Sequence, residues 1–594
     1  MRTLERLDAC EIAAEVGRGR ITASAVIGDV LERLETYDAV QPQAWISRFD
    51  REALLEAARL VDARVAAGNR LPLAGVPFAV KDNIDVAGLD TTAACPSFAF
   101  RPVKSATVVQ RLLDAGAICI GKTNLDQFAT GLNGTRSPYG APRNVYNLAY
   151  VSGGSSSGSA VVVAAGIVAF ALGTDTAGSG RVPAAFNHLI GLKPSRGRWS
   201  SNGLVPACRT LDCITVLASS VADARLVDDV AAGFDPADPF SAVIPDHARN
   251  ARKIGVPRRD QRVWFGDLES ERLYDQALDR LISGGAEIVE IDMTPLNETA
   301  QLLYGGPWVA ERAAALRAVL SADPADLDPS VREVVSAGLG IRAVDLFNGI
   351  YRLAELSRAA DTLWQTVDVL ALPTTGTTYR VAELRAAPIA LNSNLGAYTN
   401  FVNLLDLAAI AVPAGARQNG TGFGITLIGP AGTDRALLCA SETYLKAANL
   451  AAPPPLDLEG RMQTVKLAVV GAHLKDMPLH WQLTSREATF IEATHTAPNY
   501  RLYAMAGSVP PKPALVHGGE EDGQGAAIAV EVYEMDVAAF GSFVAEVPPP
   551  LAIGTVKLAD GSSVKGFVAE PRATIGAEDI TALGGWRAYI ARSQ

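Results

Sequence analysis

At 594 residues the chain is too long for one ordinary hydrophobic core, so two or more domains are expected. Apolar residues make up 48% and charged residues 20%, the balance of a soluble globular protein. The net charge of −11, without a dense Lys/Arg run, excludes the electrostatic footprint of a nucleic-acid binder, and an anionic substrate would need a local cation.

The opening MRTLERLDACEIAAEVGRG reads as an amphipathic helix and lacks the apolar stretch of a signal peptide. Residues 52–68 repeat apolar positions at helical steps and stop on Gly68. From about residue 75 the texture becomes α/β. GVPFAVKDNIDV reads as a strand and its exit, ATVVQRLLDAGA as a helix stopped at Gly116, and ICIGKTN as a strand. SGSAVVVAAG is predicted as a helix and IVAFALGTD as a strand. KIGVPRR, a helix over 269–283, AEIVEID, VDVLALPTT and AIAVPAG continue the alternation. Such units favour a mixed or parallel sheet covered by helices. The longest apolar run, Ala160 to Leu172, is 13 residues and too short to span a bilayer.

At 451–460, AAPPPLDLEG, three prolines mark a linker between a domain at 1–450 and a smaller one at 461–594. The second is richer in short strands. It holds a hairpin signal around Asp560-Gly561 and four of the six histidines: His473, His480, His495 and His517. Six scattered cysteines without zinc-like spacing predict reduced thiols, a cytosolic setting and no metal site.

Gly116 to Thr123 fits the phosphate-loop pattern GxxxxGK[ST], but a helix precedes it and Ala-Ile-Cys-Ile inside it is strand-like. The context is inverted, so nucleotide binding is not expected. The stretch VSGGSSSGSAVVVAAGIVAFALGTDTAGSGR (151–181) presents many serines and no histidine. No serine there has the glycine spacing of an esterase elbow. The nearby His188 lies in an apolar context and reads as structural. A desolvated lysine can replace histidine as a base, because burial disfavours the ammonium. Lys81 is the candidate, although its local sequence equally describes a strand-end lysine reaching solvent.

GVPFAVKDN, GGSSSGS (153–159) and GTDTAGSGRVPAAF (173–186), in that order and with 24 residues from Ser155 to Ser179, resemble the amidase signature family. The similarity runs over roughly residues 5–450 and includes KTNLDQFATG (122–131) and GLKPSRG (191–197). The resemblance implies a mixed β-sheet core covered by helices. It implies Ser179 as nucleophile, Ser155 as a bridge with a cis peptide bond, and neutral Lys81 as base. It further implies an oxyanion hole from the amides of Thr176, Ala177, Gly178 and Ser179. Small residues there let backbone donors approach the developing charge. Ser156, Ser157 and Ser159 are expected to support the loop.

In LLYGGPWVAERAAAL (302–316), Tyr304 and Arg312 stand eight residues apart around Gly-Gly-Pro. Arg312 alone reads as a solvated helix residue beside Glu311. The stretch resembles allophanate hydrolases, where this pair holds the substrate's carboxylate, and so does the C-terminal segment (VVGAHLKDMPLHWQL, THTAPNYRLYAMAG, GGWRAYI). That resemblance implies hydrolysis of a small anionic amide, allophanate, to ammonia and carbon dioxide, with the C-terminal domain decarboxylating the first product. It implies a homodimer, no cofactor, no nucleic-acid or membrane partner, and a link to a urea carboxylase on another chain or to cyanuric-acid and biuret degradation. His473 is the candidate of the C-terminal domain, whose α+β fold resembles the γ-glutamyl cyclotransferase type. The alternative is a member of the same family acting on another small amide.

Overall fold

The computed structural model describes residues 3–451, 453, 456–457, 464–486, 488–518 and 525–592. Of the 451–460 linker, residues 452, 454, 455 and 458–460 lie outside the described residues. The chain divides into two compact units that part at Leu456/Asp457.

The larger unit is built on one eleven-stranded sheet. In chain order its strands are β1 (Trp45–Arg48), β2 (Pro77–Lys81), β3 (Ile118–Thr123), β4 (Phe170–Asp175), β5 (Ile190–Lys193) and β6 (Cys213–Ala218). They continue with β7 (Lys253–Pro257), β8 (Glu287–Ile291), β9 (Val369–Pro373), β10 (Leu407–Ala416) and β11 (Gly422–Pro430). The spatial order is β1-β3-β2-β4-β6-β5-β10-β11-β9-β7-β8. The sheet is mixed: β2 runs parallel to both β3 and β4, while β4/β6 and β10/β11 are antiparallel.

Most of the expected strands fall in this sheet because their continuous apolar runs are covered on both faces, whereas β8 is a half-exposed edge strand. Every residue of β2, β3 and β4 is buried, and Phe78 stacks on Phe170 with centroids 5.2 Å apart. The helix before β3, Thr107–Asp114, ends as Gly116 predicts, with that glycine at φ +96°. The phosphate-loop letters therefore lie on a helix end and a buried strand, where Lys122 pairs with Asp82 at 3.1 Å. The N-terminal helix is shorter than its sequence pattern: it spans Ala9–Gly17, capped by the Asp8 side chain on the Glu11 amide. Asp8, an N-cap residue type, sets its start.

The smaller unit has a five-stranded mixed sheet. Its members in spatial order are Thr489–His495, Ala529–Asp536, Thr464–Val469, Ser563–Ala569 and Leu551–Lys557. A second sheet joins Pro513–His517, Tyr500–Ala504 and Glu578–Asp579. The last two strands of the five-stranded sheet form the expected hairpin, with Gly561 at φ +87° in its turn. Among the described residues no helix is long and apolar enough to cross a membrane, and all six cysteines are free.

Candidate active site

Three segments meet at the carboxyl ends of β2 and β4. Lys81 closes β2, the loop 153–156 leads into the helix Ser157–Ala164, and the loop 176–180 leads from β4 into the helix Arg181–Phe186. Lys81, Ser155 and Ser179 are all buried.

Lys81 does not reach solvent. Strands pair with β2 on both sides, and Nζ ends among hydroxyls, donating to Ser155 Oγ at 2.7 Å and Thr174 Oγ1 at 2.6 Å. Desolvation pushes its pKa down to about 7, against the pull of Asp126, Asp212 and Asp175. A neutral amine is thus accessible near neutral pH.

The Gly154–Ser155 peptide is cis. A Cβ on Gly154 would stand 2.1 Å from Asp126 Oδ2 and 2.6 Å from the Gly134 nitrogen, so only glycine fits. The serines after it serve the loop. Ser156 Oγ bonds both the carbonyl and the amide of Thr174 at 3.2 Å. Ser157 Oγ donates to the Asn124 carbonyl, and Ser159 Oγ to that of Leu172 at 2.9 Å.

Ser179 Oγ donates to the Gly131 carbonyl at 3.4 Å, a long bond that is given up at little cost. The Ser179 carbonyl accepts from the Ser156 amide at 3.3 Å, which ties the two loops together. The loop around Ser179 is organised by Asp175. Its carboxylate takes a two-pronged bond from Arg181 (2.9 and 2.9 Å) and the amides of Gly178 (2.9 Å) and Gly180 (3.1 Å). Burial alone would raise its pKa; the Arg181 charge and hydrogen bonds outweigh that and hold it below the usual carboxylate range.

Of the four amides expected to form an oxyanion hole, that of Gly178 donates to Asp175 Oδ1 at 2.9 Å. The amides of Thr176, Ala177 and Ser179 have no protein acceptor among the described residues. Gly178 is required by shape: its φ is +122°, and a Cβ would meet Thr399 Oγ1 at 2.5 Å.

The helices Thr294–Tyr304 and Trp308–Ala315 flank the Gly305-Gly306-Pro307 break. They bring Tyr304 and Arg312 together: the guanidinium lies 5.0 Å from the Tyr304 ring centroid and donates to its hydroxyl at 3.1 Å. Arg312 is buried rather than solvated. Its other bond is to Thr130 Oγ1 at 3.1 Å, and Nε has no partner. Among the described residues no carboxylate pairs with it. Asp212 and Glu311 favour its charge through space, but neither hydrogen-bonds it, and a buried cation without a directly paired anion is costly.

Sequence reasoning did not single out Thr130, Thr174, Asp175 or Asp212. KTNLDQFATG contains Thr130, and GTDTAGSGR contains Thr174 and Asp175, so the motifs carried them without assigning roles. Asp212 accepts the Thr176 hydroxyl and the Ala207 amide (2.7 Å); desolvation pushes its pKa up to about 6. His188 is structural: its Nε2 lies 3.3 Å from the Gly420 carbonyl and its ring packs edge-on against Tyr146.

In the smaller unit, His473 lines a cavity of about 260 Å³ with Gln482, Lys512, Glu546, Phe543 and Phe567. The ring stacks on Phe567 at 5.0 Å and meets Gln482 Oε1 through Nε2 at 2.7 Å. Desolvation lowers its pKa.

Residues 26–438 match the family model described as amidase, and residues 465–591 match the one described as allophanate hydrolase C-terminal domain. The urea amidolyase of Saccharomyces cerevisiae is 44% identical over 94% of this chain, but the chain spans only 32% of that protein's length. A glutamyl-tRNA(Gln) amidotransferase component of Prochlorococcus marinus is 34% identical over 73% of the chain and 95% of its own length. The structure of a Kluyveromyces lactis allophanate hydrolase superposes with a TM-score of 0.70 at 42% identity, covering 97% of this chain and 98% of that one.

Proposed function

The chain belongs to the amidase family, and from that premise we propose that it hydrolyses allophanate through Ser179, with Lys81 and Ser155 as its proton relay. The observation that carries the substrate choice is Arg312: a buried guanidinium held by Tyr304 and Thr130 and lacking a carboxylate of its own. A substrate carboxylate supplies the missing charge through a paired hydrogen bond.

In the proposed reaction, neutral Lys81 draws a proton from Ser155 Oγ, which draws one from Ser179 Oγ once that hydroxyl turns from Gly131. Ser179 attacks the terminal carbonyl of allophanate. The amides of Thr176, Ala177 and Ser179 receive the oxyanion. The proton returns through the relay to the leaving nitrogen, ammonia departs, and the carbonyl remains as an ester on Ser179. Water, deprotonated by the same relay, breaks that ester and releases N-carboxycarbamate. Loss of carbon dioxide from this dicarboxylate leaves carbamate, which breaks down to ammonia and carbon dioxide.

We assign the first decarboxylation to the His473 cavity. Its apolar walls (Phe543, Phe567, Leu551) and the Lys512 ammonium suit a small carboxylate that loses its charge. The urea amidolyase relatives support a urea-carboxylating reaction as the source of the substrate. The six free cysteines support a reducing, cytosolic setting, and the homodimer is carried over from the family.

The test is ammonia release from allophanate by the full chain. Release that disappears in Ser179→Ala supports the proposal; no release above the spontaneous rate overturns it.

A further inference from the structure

Arg312 and its neighbour Glu311 point different ways, as consecutive helical residues must. Arg312 turns inward. Glu311 turns to the segment 207–212, where both carboxylate oxygens are held by one residue: Oε1 accepts the Thr210 amide at 2.7 Å and Oε2 the Thr210 hydroxyl at 2.9 Å. Its oxygens are thereby kept from hydrogen-bonding the adjacent guanidinium, whose charge Glu311 still favours through space.

The same segment is tied to the nucleophile loop. Asp212 accepts the hydroxyl of Thr176 and the amides of Ala207 (2.7 Å) and Cys208 (3.1 Å). Asn403 Nδ2 bridges the Leu211 carbonyl at 2.9 Å and the Asp175 carbonyl at 2.7 Å. The Cys208 thiol faces the Trp308 carbonyl, in the first turn of the helix that carries Arg312, at 3.9 Å. That helix is joined to its predecessor through Gly305-Gly306 and has no side-chain N-cap.

We propose that Ala207–Asp212 is a brace and that Glu311 is a positioning residue. Through Thr210 it holds the Arg312 guanidinium where it can pair with the substrate carboxylate, in the ground state and the transition state alike. The brace rests on the reading that Arg312 binds a substrate carboxylate. It explains why an acidic residue adjoins Arg312 without hydrogen-bonding its guanidinium.

The experiment is steady-state kinetics of the full-length protein on allophanate. It is paired with the rate of Ser179 inactivation by phenylmethylsulfonyl fluoride, a neutral reagent that reports the nucleophile alone. Glu311→Ala and the exposed Thr210→Val should each raise KM about tenfold with kcat within about threefold, and leave the inactivation rate unchanged. Glu311→Gln, which can still bond both groups of Thr210, should restore KM to near wild type. Unchanged KM in both Glu311→Ala and Thr210→Val, while Arg312→Ala raises it, overturns the brace and leaves the carboxylate reading intact. Unchanged KM in Arg312→Ala as well overturns both. Equal loss of inactivation rate and kcat/KM would reduce Glu311 to a fold-supporting residue and also overturns the brace.

Discussion

Arg312 and Ser179 hydrogen-bond to consecutive residues: the guanidinium donates to the Thr130 hydroxyl at 3.1 Å and the serine hydroxyl to the Gly131 carbonyl at 3.4 Å. A two-residue segment therefore measures the gap between the proposed carboxylate site and the proposed nucleophile. Allophanate, whose carboxylate and terminal amide carbonyl are separated by one nitrogen, is a substrate of that scale.

The relay gives the pH dependence its sign. Lys81 sits at about 7, and only its neutral form can accept a proton. The log of kcat/KM should rise with a slope near one up to pH about 7 and level above it. Asp212, pushed up to about 6 by burial, titrates within the same range. A profile flat from pH 5.5 to 8 would remove Lys81 from the role of base.

Removal of relay members should be severe and non-additive. Ser179→Ala and Lys81→Met should each lower kcat by about 10⁴-fold or more, and the double variant should be little worse than either. Single-turnover ammonia release measures this. Multiplicative losses would mean that the two residues do not act as one unit.

The Lys122–Asp82 pair, both side chains inaccessible to solvent, predicts a stability effect without a nucleotide effect. Lys122→Met leaves Asp82 charged and unpaired, which costs about 3–5 kcal/mol. The melting temperature should fall, and ATP should leave it unchanged in both proteins. Stabilisation of the wild type by ATP would revive the phosphate-loop reading.

In the smaller unit, His473→Ala should leave the first ammonia release unchanged while slowing carbon dioxide release. N-carboxycarbamate would then accumulate until it decays spontaneously, which product analysis by carbon-13 NMR would show. Equal rates of carbon dioxide release in both proteins would remove His473 from the second step.

Much of this architecture was legible in the chain. Strands such as Pro77–Lys81 and Phe170–Asp175 were readable because a doubly covered sheet demands unbroken apolar runs, and Gly116 marked its helix end. The serine loops were readable as motifs. The environment of Lys81 was not. Whether a strand-end lysine is buried depends on neighbours far away in sequence, and its partner Thr174 is 93 residues distant. Arg312 misled for the same reason, since Thr130, 182 residues away, draws it inward while the adjacent Glu311 suggests a surface pair. The commitment of the Gly178 amide to Asp175 is a local contact, but it depends on a loop geometry that residue identities alone do not specify.

The most direct measurement of the central claim is the ratio of kcat/KM for allophanate to that for biuret, which replaces the carboxylate with a neutral amide. The wild type should favour allophanate by about 10²-fold or more, and Arg312→Ala should collapse that preference by weakening allophanate alone. A wild-type ratio near one, or a ratio that survives Arg312→Ala, would contradict the account.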